Sequence, residues 1–129
     1  MTPAEGEQGM QMWVADLRDA PSTRLFRCDC ERLHRCAFHR VDWTPVLAVT
    51  LGEFRATCGD GSVDYYAACD RVLPEVEVSP RLRSHRLALD FARSLFDYPM
   101  YASADQWTNG QHRGQAMLDA GQHFTLFAD

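Results

Sequence analysis

No apolar run in this chain approaches the roughly 20 residues that a bilayer-crossing helix requires. The nearest is the short VLAV at residues 46–49. The opening MTPAEGEQG lacks the basic start and apolar core of a secretory signal, so the expected location is the cytoplasm. Cysteine is not available in an even, spread-out set: there are five, mostly in one cluster, which argues against a disulfide framework and for free thiols or metal ligands. Basic charge is also short. Thirteen Lys and Arg stand against eighteen Asp and Glu, a formal net charge of -5, which excludes wholesale coating of a nucleic-acid backbone. No paired carboxylates and no Ser/His/Asp order stand out to supply an independent catalytic mechanism.

What remains is an ordinary globular composition, 46% hydrophobic and 24% charged over 129 residues, enough for one domain with its own core. Residues 1–9, rich in Glu, Gly, Gln and Pro, read as a disordered leader, and residues 10–129 as a single α+β domain. Residues 10–17 form a first short element, strand or helix. After Thr44-Pro45, residues 46–51 read as a strand that residues 53–57 continue or pair with, before Gly59-Asp60-Gly61 turns the chain. Cys58 sits at that turn, where a lone cysteine is more often incidental than a ligand. Ser62 caps a helix running through Val72, with Cys69 packed on it and Pro74 ending it, and residues 76–78 are extended. Ser79-Pro80 starts another helix. In it Ala88, Phe91, Ala92, Leu95 and Phe96 recur at three and four, with Arg81, Arg83, Arg86 and Arg93 toward the solvated side and Pro99 as the stop. Residues 101–108 then extend into a turn at Asn109-Gly110. A helix follows in which Ala116, Met117 and Ala120 supply the buried side, Gly121 stops it, and residues 124–127 make a closing apolar strand.

Two clusters carry chemistry. In residues 24–43, Cys28, Cys30, Cys36 and His39 fall within twelve positions, the ligand types and number that zinc takes in a tetrahedron. Their Cys-x-Cys-x5-Cys-x2-His spacing departs from the usual paired knuckles, so the alternative stands that the cysteines are small buried hydrophobes. Arginine and histidine also make this the most basic part of the chain, open to a nucleic-acid contact or simply solvated. The second cluster is the turn at Asn109, Gly110, Gln111, His112 and Arg113. It delivers backbone N–H groups to a helix N-terminus, where partial positive charge favours an anion. Arg113 adds a fork suited to phosphate or carboxylate. Read on spacing alone, the same residues also make a common structural turn with a solvated first helical turn.

That second cluster resembles the Gly-x-[His/Arg]-Arg box of the ParB and sulfiredoxin superfamily, in the Asn-Gly-Gln-His-Arg form of phage and DNA-modification relatives. The resemblance spans residues 79–127, and implies a small mixed sheet packed by about three helices. It implies that Gly110 allows close backbone approach, that His112 and Arg113 contact phosphate, and that Asn109 and Gln111 shape the turn. Sulfiredoxins carry a reactive cysteine where this chain has Gln111, so thiol repair is not expected. ParB nucleotide clamps use further phosphate contacts downstream, whereas this chain continues for eight residues after Gly121, so a nucleotide site would be incomplete, completed by a partner, or specialised for a smaller anion.

The resulting expectation is a ParB-like domain of phage or mobile-element origin that binds a nucleotide or nucleic-acid phosphate at residues 109–113. If it hydrolyses, as a nucleotide phosphohydrolase or nuclease, Arg113 neutralises charge and His112 handles the proton, with Mg as the divalent ion. The alternative is a non-enzymatic adaptor or regulator, its cysteine-rich segment ordered by Zn, binding protein or DNA. A third keeps the box only as a stable turn.

Overall fold

The longest element among the described residues is a helix where the sequence pattern suggests strands. In the computed structural model, which describes residues 10–19, 37–103, 106–108 and 111–129, Trp43–Cys58 is one 16-residue helix. The side chains at 37, 39, 101–103, 106–108, 111 and 112 are outside that description. Asp42 caps the helix by accepting from the Thr44 amide at 3.1 Å, and Pro45 falls in the first turn, where a missing N–H is tolerated. Gly59, at a φ of 76°, ends it by donating its N–H to the Arg55 carbonyl. Trp43, Val46, Leu47, Thr50, Leu51 and Phe54, with Val49, are its buried residues, the first six at helical spacing. The expected strand pair over residues 46–57 is therefore corrected: a three-and-four stripe is present, and two good caps flank it. We number the elements β1 (Gln11–Asp16), α1 (Ala37–Arg40), α2 (Trp43–Cys58), β2 (Val63–Asp64), α3 (Tyr65–Glu77), α4 (Pro80–Arg83), α5 (Arg86–Asp97), β3 (Met100–Ser103), β4 (Gln106–Thr108), α6 (Gln111–Asp119) and β5 (Phe124–Ala128).

Several boundaries move for identifiable reasons. Asp64, not Ser62, caps α3 by accepting from the Ala67 amide at 2.9 Å, and the helix carries Pro74 inside its last turns to reach Glu77, so residues 76–77 are helical rather than extended. A proline there forfeits one backbone bond. Burial of Val72 and Val76 on one face continues the helix across it. The helix expected from Ser79 onward is two, broken at Ser84 and His85. Residues 101–103 and 106–108 belong to two strands, β3 and β4, paired antiparallel, rather than to one extended segment. Ala120 is exposed, whereas Ala116 and Met117 are buried. The described chain thus has six α-helices where about three were expected.

The strands of the described residues form one five-stranded mixed sheet in the order β2-β1-β5-β3-β4. β1 pairs antiparallel with β5, placing Met12 opposite Ala128 and Asp16 opposite Phe124. β3 runs parallel to β5. Thr125, Leu126, Phe127 and Ala128 are all buried, so β5 is covered on both faces. Among the described residues two α-helices lie between β1 and β2, three between β2 and β3 and one between β4 and β5, so strands and helices do not alternate one for one and the class is α+β. Trp43, Phe54, Phe96, Met12 and Leu126 are among the largest fully buried side chains and mark where helices and sheet share one core. Phe91 packs its ring 5.0 Å from Phe38 and 5.5 Å from Trp43, joining α1, α2 and α5. No helix among the described residues is long and apolar enough to cross a membrane. The expected leader, residues 1–9, and residues 20–36 lie outside the described residues.

Candidate functional site

The final strand, helix and strand are present in the expected order: β4, then α6 from Gln111, then β5. Gly121 closes α6 at a φ of 79°, with its own N–H on the Leu118 carbonyl and the Gln122 N–H on the Met117 carbonyl, at 2.9 and 2.8 Å. That pair of bonds is the left-handed glycine stop of a Schellman motif. Asn109 and Gly110 lie outside the described residues, as do the side chains of Gln111 and His112.

Arg113 is described, and it turns inward. Only 4% of it is exposed. One guanidinium nitrogen, Nη1, donates to the Ser94 carbonyl at 2.7 Å and to Ser94 Oγ at 3.1 Å, while Nη2 donates to the Tyr98 carbonyl. These acceptors sit at the C-terminal end of α5, where unpaired carbonyls and the helix dipole concentrate negative charge. Tyr65 completes the arrangement by donating its hydroxyl to the Phe96 carbonyl. Burial pulls the Arg113 guanidinium down to about 10, which still leaves it charged at neutral pH. The arginine read as an outward phosphate fork thus binds α5 to α6. Its neighbours explain the direction: Arg113, Ala116 and Met117, three and four apart, share the buried face of α6.

The zinc candidates Cys28, Cys30 and Cys36 lie outside the described residues, and so does the side chain of His39, whose backbone is in α1. Among the described residues no group of three or more His, Cys, Asp and Glu is placed to hold a metal. Cys58 and Cys69 are half-buried free thiols. Burial pushes both up, and for Cys69 a hydrogen bond with Tyr65 works against that effect while Asp97, Asp70 and Asp64 add to it. Neither is an activated nucleophile.

A different surface is open. An approximately 420 Å³ groove lies between α2 and the segment leading into β5. Leu47 and Leu51 are its buried apolar residues, Ala48, Gly52 and Phe124 carry apolar surface to solvent, and Arg55 and His123 add polar groups. A Cβ built on Gly52 would meet nothing within 4 Å, so the α2 side is unobstructed. Gln122 ties the two walls by donating its side-chain amide to Thr44 Oγ1 at 3.2 Å. Seven of the ten lining residues are exposed, Thr44, Ala48, Gly52, Arg55, Gly121, His123 and Phe124. Such open walls do not enclose a small molecule, which ordinarily has most of its surface buried on binding. Arg55 makes no ion pair among the described residues, unlike Arg18 with Asp16 and Arg93 with Glu77. None of these groove residues was a site candidate from the sequence, because reading residues 46–57 as strands scatters Thr44, Ala48, Gly52 and Arg55 over two faces. The signal was their spacing of four, four and three, which a helix brings to one side. Comparison with protein-family models, with curated proteins and with solved structures finds no match to this chain.

Proposed function

We propose that the domain is a non-enzymatic adaptor or regulator that docks a protein partner in the groove between α2 and the start of β5. The observation that carries this reading is the groove itself: an apolar floor with exposed walls and an arginine that makes no ion pair among the described residues, on the helix that anchors the core. Arg113 supports it from the other side, since a buried guanidinium bonded to α5 carbonyls is a structural group rather than a free phosphate ligand. Selection of displayed peptides on the wild-type protein and on Gly52→Trp tests the reading. Tryptophan at Gly52 occupies open space and removes a poor helix former, so the fold is retained while the groove fills. Enrichment on wild type that Gly52→Trp abolishes is the expected result; equal enrichment on both proteins refutes docking in the groove.

A second reading keeps the ParB-like box as an anion site of narrower make-up. It is favoured by the start of α6 at Gln111, where the resemblance requires a helix N-terminus. The donors would then be first-turn amides and His112, without Arg113. Calorimetric titration of ATP and GTP with Mg discriminates: heats lost on His112→Ala support this reading, and no heats leave the adaptor alone. Zinc at Cys28, Cys30, Cys36 and His39 is a separate proposal for how the adaptor is ordered, and metal analysis of protein purified without added zinc decides it.

A further inference from the structure

The docking groove also has a length, a polarity and a charge, and together these constrain its occupant. Thr44 and Arg55 mark its two ends along α2, eleven residues or about 16 Å apart at 1.5 Å per residue. That is the length of about three helical turns. Its walls expose side chains and the backbone of Gly52 and Gly121, whereas β5 is already paired with β1 at every position from Phe124 to Ala128. A helix lying along α2 can bury an i, i+3, i+4 apolar row against Leu47, Ala48, Leu51 and Phe124. Arg55 stands on this same side at the C-terminal end of α2, while Glu53 is on the opposite side of the helix by its angular position. The Arg55 charge, which makes no ion pair among the described residues, calls for an anion at that end of the groove.

We infer that the occupant is a short amphipathic helix, running antiparallel to α2, with Asp or Glu in its first turn opposite Arg55. Antiparallel alignment puts the occupant's positive N-terminal end beside the negative C-terminal end of α2, and its first turn is where a carboxylate is favoured by the occupant's own dipole. One carboxylate therefore satisfies Arg55 and caps its helix at once. This inference rests on the docking reading above and adds the partner class.

The test uses the full chain and three synthetic 14-residue peptides with one shared apolar face: Glu in the first turn, the same Glu moved to the last turn, and Lys in the first turn. Amide chemical-shift mapping locates binding, and titration gives its strength. The expected result is shifts confined to residues 44–55 and 121–124, with the Glu-first peptide about three- to fivefold tighter than the other two, the effect of one exposed ion pair. That margin should close in high salt, and Arg55→Glu should reverse the order of the Glu-first and Lys-first peptides. Equal binding of all three at the groove overturns the acidic, antiparallel helix while leaving docking intact. Shifts elsewhere, or binding indifferent to Gly52→Trp, overturn both.

Discussion

Replacing Arg113 gives the sharpest test, because the structural and phosphate-binding roles predict opposite outcomes. Arg113→Met keeps the length and apolar stem of the side chain but removes every donor. The Ser94 and Tyr98 carbonyls then lose a charged partner in a site where water does not readily replace it. Each hydrogen bond from a charged donor is worth roughly 1.5–3 kcal/mol net, and a cation at a partly buried helix C-terminus adds up to about 2 kcal/mol. These contributions overlap, and the desolvation of the guanidinium that lowers it to about 10 opposes them. A net destabilisation of about 3 kcal/mol follows, a large share of the roughly 5–15 kcal/mol that holds a domain together. Urea unfolding should show it as a lower midpoint at unchanged slope, and thermal unfolding as a fall of about 10–15 °C. Arg113→Lys retains the charge without the fork and should lose roughly half as much. If Arg113→Met unfolds within about 0.5 kcal/mol of wild type, the size of an ordinary surface substitution, the α5–α6 clamp is refuted.

Two further outcomes follow from single groups. Thr50 Oγ1 is buried without a hydrogen-bond partner among the described residues, so Thr50→Val, which keeps the shape and removes the hydroxyl, should stabilise the protein by about 1 kcal/mol in the same urea assay. A loss of stability would mean that the hydroxyl is satisfied. Asp16 is held at about 2, chiefly by hydrogen bonds from the Arg18 side chain and amide, against an ordinary value of 3.8. Its folded value is depressed, so its contribution is complete above 3.8 and disappears as the pH falls through about 2. Wild type should therefore lose stability between those pH values more steeply than Asp16→Asn, and parallel pH profiles would remove the Asp16–Arg18 pair as the cause.

The local signals that were legible are those with a covalent or dihedral origin. Gly121 stops α6 because a residue without a Cβ takes the left-handed conformation freely, and Pro80 opens α4 because its fixed φ suits a first helical position. The stripe of Ala88, Ala92, Leu95 and Phe96 shows the buried face of α5. Residues 46–57 suggest strands on residue type because β-branched and apolar residues suit either structure over a short run. The decisive features were the caps at Asp42 and Gly59 and a period of three and four rather than two. The inward direction of Arg113 is carried by its register along α6 with Ala116 and Met117, which the short motif around it does not contain.

Sequence alone determined composition, the absence of any long apolar run, the mixed α+β character, and the order of strand, helix and strand from residue 106 onward. Those follow from residue type and short-range periodicity, which act within a few positions. Only the tertiary structure decided where Arg113 points and which residues line the groove. Ser94 and Tyr98 lie nineteen and fifteen positions before Arg113. The walls of the groove, tied by Gln122 and Thr44, are seventy-eight positions apart. Contacts at such separations depend on how helices stack on the sheet, and a guanidinium that can face either water or carbonyls is directed by which helix end that stacking brings beside it.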